Sequence, residues 1–334
     1  MYSSRVLTKL DPEPPHLSPE RAEVQLSAEA DAALLQLLSM LEEQSYYFVP
    51  VTPATHARVI ARPDKQQASS LRDVFGWSLP FAPDLLPREM LDLLERSNLV
   101  AQQDGLLKSG IRVGRIHGAL IIHSAFPTDD EDAVFFSPDT CRFADFVRRE
   151  LVRATGVKRL LDIGAGPGTG AIAAAPIVPG ARLTLCDLNP LALRLARINA
   201  RHAGLEVETV EGGIDAVRGH FDAAIANPPF MIDEEGRTYR DGGDMHGARI
   251  SLDWALETLG RLDPGGRLIL YTGSAIVGGR DELREALERE VAALGGSLRY
   301  AELDPDIYGE ELEKSGYADV ERIAAVGAVV EAAR

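Results

Sequence analysis

The chain has 334 residues, 45% of them hydrophobic and 26% charged, with a formal net charge of −16. That composition is ordinary for a globular protein and excludes a disordered or fibrous chain. No apolar run approaches the ~18 residues that a membrane-spanning helix needs, and the polar, proline-rich stretch from Met1 to Glu20 predicts neither signal peptide nor anchor.

The length fits a ~200-residue α/β domain with a smaller module attached. Residues 1–120 hold 12 basic and 15 acidic side chains, leaving 23 and 36 in residues 121–334, a net of −13 there. Nucleic-acid binders usually carry a basic footprint, so this charge disfavours RNA or DNA and favours a protein or small-molecule partner. Cys141 and Cys186 fall in helix-like and strand-like segments. They read as small buried hydrophobes in a reducing compartment, so a cytoplasmic location is expected.

Residues 1–26, with Pro12, Pro14, Pro15 and Pro19 among scattered charges, read as a mobile lead-in. Ser27 is then expected to cap a helix with Glu29 and Asp31 in its first turn and Leu34, Leu35, Leu37, Leu38 and Leu41 on its apolar face. Residues 27–130 are expected to form the small module. Leu71 to Phe75 and Pro87 to Arg96 are predicted helices, the second with proline suitably at its start. Leu99 to Gln102 and Leu106 to Val113 flank Asp104-Gly105 as a hairpin, and Gly118 to Ser124 continues as another strand. Helix, helix, hairpin is a winged-helix-like order, which serves nucleic-acid binding, dimerisation and substrate capping alike. Near-neutral charge favours a cap or a homodimer element. His117 and His123 lie here, but nothing has metal-ligand spacing, so no metal is expected.

Residues 131–334 alternate strands and helices as a doubly wound domain should. Phe135-Phe136-Ser137-Pro138-Asp139-Thr140 leads into a helix from about Cys141 to Thr155. The chain is organised around the stretch that follows, Arg159 to Gly170. Its apolar run Leu160 to Ile163 predicts a buried parallel strand, and a glycine-rich turn and a small-residue helix come after it. Glycines at such a turn take backbone angles that other residues resist, and they let a ligand approach the main chain. A nucleotide-like cofactor is therefore expected over the end of this strand. A dinucleotide fingerprint counted from Gly164 would need a third glycine at 169, where Thr169 stands; the spacing is G-x-G-x-G.

Leu183 to Asp187 is the second predicted strand. It ends on an acid 23 residues beyond Gly164, near the separation expected for a group that binds ribose hydroxyls. Val207 to Val210 is the third, and Phe221 to Ala226 the fourth, running into Asn227-Pro228-Pro229-Phe230. Pro228 keeps Asn227 extended and Pro229 fixes the next turn. Met231 to Gly247, polar and glycine-rich, reads as a substrate lid in which Arg240 or Asp241 would position substrate and His246 would take a proton. Two helices (Ile250 to Leu262, Glu282 to Leu294), a fifth strand from Arg267 to Tyr271 and an antiparallel pair (Leu298 to Leu303, Glu321 to Val330) complete the domain.

Over roughly residues 135–275 these motifs resemble the class I S-adenosylmethionine (SAM) dependent methyltransferases. G-x-G-x-G behind Asp162 is similar to their first motif. Asn227-Pro228-Pro229-Phe230 resembles the (Asn/Asp)-Pro-Pro-(Tyr/Phe) signature of those that methylate planar nitrogens, among them the glutamine side-chain amide and the amino groups of adenine and guanine. The resemblance implies an α/β, Rossmann-like, seven-stranded fold with the winged-helix-like module at its N-terminal side. It implies SAM as cofactor, held by Asp162, Gly164, Ala165, Gly166, Gly168, Asp187, Leu188, Gly213, Ile214, Asn227 and Thr140. It implies catalysis by Asn227, Pro228, Pro229 and Phe230, the first two accepting hydrogen bonds from the acceptor's NH2 group and Phe230 stacking on it.

Two departures stand out. The family usually places an acid beyond the third strand to meet adenine; Gly213 occupies that position here, leaving a backbone amide near Ile214, or Asp215, to substitute. The family's Pro-Arg-x-Glu-Thr-Glu loop is matched cleanly only by Thr140, so contact by Phe136, Asp139 or Thr140 stands beside a plain helix N-cap. The acceptor expected is an amide or amine of a protein or small molecule. The alternatives are an RNA amino group and, from another class, a non-catalytic SAM-binding partner subunit.

Overall fold

The computed structural model describes residues 28–128, 130–233 and 240–333. The lead-in, the Ser27 cap and residues 234–239 of the lid lie outside the described residues.

Helix α1 (Ala28–Glu43) turns Ala30, Ala33, Leu34, Leu37, Leu38 and Leu41 inward, the apolar face expected from their spacing. Helix α2 (Pro53–Ile60) starts on Thr52, whose hydroxyl accepts from the Thr55 amide, with proline in the first turn. Helices α3 (Leu71–Phe75) and α4 (Arg88–Arg96) follow. Strands β1 (Val100–Gln103) and β2 (Leu106–Ser109) make the expected hairpin around Asp104-Gly105, both of which take positive φ. The second strand stops earlier than its sequence suggests. Gly110 donates its amide to the Leu99 carbonyl, and the chain restarts as β3 (Ile111–Ile116), which pairs with β4 (Ala119–Ser124). The module therefore carries two separate hairpins.

Helix α5 (Pro138–Leu151) begins with a capping box: Ser137 is the N-cap, Thr140 Oγ1 accepts from the Ser137 amide, and Pro138 occupies the first helical position. Then come β5 (Arg159–Ile163), α6 (Thr169–Ala174), β6 (Arg182–Asp187), α7 (Pro190–His202), β7 (Val207–Glu211), β8 (Phe221–Ala226), α8 (Arg249–Leu259), β9 (Leu262–Val277), β10 (Arg280–Asp281), α9 (Glu282–Ala293), β11 (Ser297–Asp304) and β12 (Arg322–Glu331). The main sheet runs in the order β11-β12-β9-β8-β5-β6-β7, with β10 paired to β9 off that path. β12 is antiparallel to both its neighbours, while β5 to β9 are mutually parallel. β9 is far longer than expected. The predicted turn Asp263-Pro264-Gly265-Gly266 is a bulge within it, where pairing to β8 jumps from Phe221↔Leu262 to Ala223↔Arg267.

The module is welded to the sheet domain through α7. Ala192, Leu195 and Ile198 of that helix sit in the same apolar cluster as Leu34, Leu38, Phe75, Leu94 and Ile122. Buried Arg194 pairs with Asp31 of α1. Asn199, fully buried, accepts from the Ile122 amide at 2.8 Å and donates to the carbonyls of Ile122 at 3.0 Å and Pro167 at 2.9 Å. One amide thus closes the outer edge of β4 and fastens it to the glycine-rich turn. Asn199→Ala strands three backbone groups, each worth about 1–3 kcal/mol when buried and unmet. The expected loss is roughly 3–5 kcal/mol of unfolding free energy in urea; a change below the error of that titration would remove Asn199 from this role.

Candidate active site

Parallel register lines up three residues. Ile163 pairs with Cys186 on one side and Ala226 on the other. The next residue of each strand is therefore Gly164, Asp187 or Asn227, in one row at the carboxyl end of the sheet. The strand order reverses between β5 and β8, and the crevice outside that switch point is where open α/β sheets bind ligands.

The turn after β5 is a cradle of left-handed residues: Gly164, Gly166 and Gly168 have φ of 61°, 53° and 81°. A Cβ on Gly164 would lie 2.6 Å from the ring of Trp254, and one on Gly170 would lie 2.8 Å from Asp162. Ala165 donates to the Cys186 carbonyl, and its own carbonyl accepts from Gly168. Asp162 is buried beneath the turn, where its Oδ2 accepts from the Ala171 amide at 2.8 Å. Burial pushes its carboxyl up to about 8, with the Asp187 charge adding to the rise. Its visible work is to hold β5 against α6.

Asp187 is half-buried. Its Oδ2 accepts from the Gly166 amide at 2.8 Å and its Oδ1 from the Asn189 amide at 2.9 Å. Burial raises its pKa against the lowering effect of these amides. A carboxylate has about four acceptor sites, so acceptor capacity remains for a ligand beyond these amides. Leu188 beside it is 60% exposed, an apolar side chain open at the crevice. Gly213 starts the short 3-10 turn Ile214–Ala216, and Ile214 buries its side chain in the core, which leaves its main chain as the part available to a ligand.

Asn227, Pro228, Pro229 and Phe230 follow β8. Asn227 Oδ1 is buried and has no hydrogen-bond partner among the described residues. A buried acceptor without a partner is costly and marks a place where a donor belongs. Phe230 lays its ring on Gly273 of β9, where a Cβ would be 2.3 Å from it, and meets Tyr308 edge-on at 6.1 Å between centroids. The ring is thus clamped on one side, and less of it is free for stacking than the sequence suggests.

The residues before α5 divide. Phe136 is buried against Gly114 and His123 of the module, so it faces away from the crevice; the absent side chain at Gly114 makes room for it. Thr140 serves the capping box. Asp139 is buried, and its Oδ1 accepts from the Tyr271 hydroxyl at 2.7 Å and from Arg142 at 3.1 Å.

In the lid, Gly242 and Gly247 pack on each other and on the Phe230 backbone so closely that neither has room for a Cβ. Arg240, expected to position substrate, instead pairs with Glu311 at 2.5 Å and Asp233 at 3.5 Å. Asp241 accepts from the Gly243 amide, and His246 pairs with Asp319 at 3.1 Å. Arg240 and His246 thus fasten the lid to the connection between β11 and β12, while Asp241 braces a turn within it. Thr169, whose buried Oγ1 has no partner among the described residues, and Trp254 over Gly164 also shape the cradle. Thr169 is visible in the sequence only as the residue that breaks the dinucleotide fingerprint.

The mostly parallel sheet, with its crevice at the switch point, is a Rossmann-like fold. Within it, residues 142–244 match the methyltransferase small domain, and the chain carries that domain. The release factor glutamine methyltransferase of Deinococcus radiodurans is 34% identical over 189 residues, covering 55% of this chain and 66% of that protein. The ribosomal RNA small subunit methyltransferase C of Salmonella choleraesuis is 41% identical over 73 residues, 22% of this chain and 21% of that protein. This chain thus spans less than two thirds of these curated relatives. Among solved structures, wild-type Trm5b from Pyrococcus abyssi is similar with a TM-score of 0.48 and 14% identity, over 70% of this chain and 62% of that one. Among the described residues no helix is long and apolar enough to cross a membrane.

The residues present fit SAM. The glycine cradle gives its methionine end close access to main chain, Asp187 keeps acceptor sites for ribose hydroxyls, and exposed Leu188 offers an apolar surface to adenine.

Proposed function

We propose that this protein transfers the methyl group of SAM to a planar nitrogen, an amide or amine, of a protein acceptor. The observation that carries the reading is the buried, unpartnered Oδ1 of Asn227 one residue beyond β8, in the same row as the cofactor cradle. Support for a protein acceptor comes from the net charge of −13 on residues 121–334 and from the release factor named in the Deinococcus relative. The RNA reading draws on the Salmonella relative's name and is opposed by the same charge. Two free cysteines fit a reducing, cytoplasmic setting. The 28–130 module would serve as a cap or dimer element.

SAM, when bound, supplies a methyl group on a sulfonium. The chain's own residues align the acceptor with it, and alignment alone is worth up to about 7–11 kcal/mol in well-oriented systems. An amide nitrogen is a poor nucleophile because its lone pair is delocalised. Asn227 Oδ1 and the Pro228 carbonyl would each accept one N–H, holding the nitrogen at the methyl and stabilising the positive charge that develops on it. The prolines keep both acceptors fixed before the acceptor arrives. Asp187 would hold the ribose and the Gly164–Gly168 main chain the methionine end. No strong base is required at the nitrogen, because its proton departs after transfer.

The test is transfer of labelled methyl from SAM into an extract lacking this enzyme, followed by protease and ribonuclease digestion. Label released by protease is the expected result. Label released by ribonuclease would replace the acceptor with RNA, label in small molecules would replace it with a metabolite, and no incorporation with SAM bound would mean that the acceptor is absent from the extract or favour the non-catalytic reading.

A further inference from the structure

Tyr308 lies in the connection between β11 and β12, outside the stretch that matches the methyltransferase small domain. Its backbone is left-handed, with φ 55° and ψ 41°. A bulky residue there is an outlier, held only when its surroundings over-determine it. The next residue is Gly309, which takes that conformation freely, yet the positive φ falls on the tyrosine. A need for a tight turn does not explain this choice, so the side chain must.

That side chain reaches two parts of the site at once. Its ring meets Phe230 edge-on at 6.1 Å between centroids, and its hydroxyl lies near Asp139 and Ser137 at the start of α5. Asp139 is held from the other side by the Tyr271 hydroxyl and by Arg142, which also pairs with Asp304 just before this connection. Phe230 is backed by Gly273, so the Tyr308 ring closes the clamp around it. The same connection anchors the lid: Tyr317 Oη accepts from the Ile232 amide at 2.8 Å, and Glu311 takes Arg240.

We propose that Tyr308 is a positioning residue for methyl transfer: its ring, packed edge-on against Phe230 opposite Gly273, fixes Phe230 in register with Asn227. The proposal rests on the methyl-transfer reading above and adds to it a residue from the C-terminal connection. A tilted Phe230 displaces the acceptor nitrogen, and misplacement by about 1 Å costs on the order of 100-fold in rate.

The test uses the full chain with Tyr308→Gly and Tyr308→Phe. Glycine relieves the backbone strain but deletes a ring packed on the core, so a purely structural role predicts a lower melting temperature with the rate of the folded enzyme unchanged. We expect Tyr308→Gly to stay folded at the assay temperature and bind SAM with unchanged affinity in calorimetry. Its rate of labelled-methyl incorporation into extract protein at saturating SAM should fall about 100-fold. Tyr308→Phe, which keeps the ring, should recover most of that rate. Wild-type incorporation by Tyr308→Gly, or a Tyr308→Phe as slow as the glycine variant, would overturn the proposal while leaving the methyl-transfer reading intact. A wild type that binds SAM but incorporates no label would overturn both.

Discussion

Asn227→Ala is expected to lower the rate of methyl transfer by about a thousandfold or more while SAM affinity stays unchanged. The size follows from losing one preorganised polar group aimed at charge that develops in the transition state, which costs about 10²–10³ in comparable sites. The acceptor nitrogen also loses half of its alignment, a separate contribution to the rate. SAM affinity is spared because the cofactor's proposed contacts come from the turn after β5 and the end of β6, not from the Asn227 side chain. Stability changes little or rises, since Asn227 Oδ1 is buried without a partner and its removal relieves that cost. Calorimetry with SAM, thermal melting and label incorporation together check the prediction. An alanine variant with wild-type incorporation would take Asn227 out of the mechanism.

The parts of this site that are readable in the sequence are those fixed by short-range rules. A short run of three apolar residues around Asp162, ending in glycines, reads as a buried strand meeting a ligand turn, and the parallel register then carries Asp187 and Asn227 to the same row. The Asn-Pro-Pro-Phe tetrapeptide declares its own rigidity. What the sequence hides is set by long-range partners. Arg240 and His246 look like free polar groups in a loop, but Glu311 and Asp319, more than seventy residues away, take them as anchors. Phe136 sits in a stretch aligned with a cofactor loop, yet the vacant space at Gly114 draws it into the module. Asn199 reads as one polar residue in a helix; only the packing of α7 on β4 shows that it joins the module to the glycine turn. Tyr308 has no local signal at all, because its importance depends on a backbone angle and on Phe230, 78 residues earlier.

Asp187→Ala should weaken SAM binding by roughly 10²–10³-fold, and the reason is that this side chain does two jobs. In the folded protein it accepts from the amides of Gly166 and Asn189, bracing the cradle on one side and the start of α7 on the other. Its remaining acceptor sites would take the two ribose hydroxyls, and hydrogen bonds to a charged group are worth about 1.5–3 kcal/mol each. Two such bonds correspond to the stated loss at about 1.4 kcal/mol per factor of ten. Alanine further leaves Gly166, already at φ 53°, without the bond that fixes its angle. Asp187→Asn weakens both jobs at once. Its amide oxygen can still brace one backbone N–H, but its NH2 faces the other donor and accepts nothing from ribose. It should therefore bind SAM nearly as poorly as alanine. A calorimetric affinity for Asp187→Asn equal to wild type would mean that the ribose is held elsewhere in the crevice.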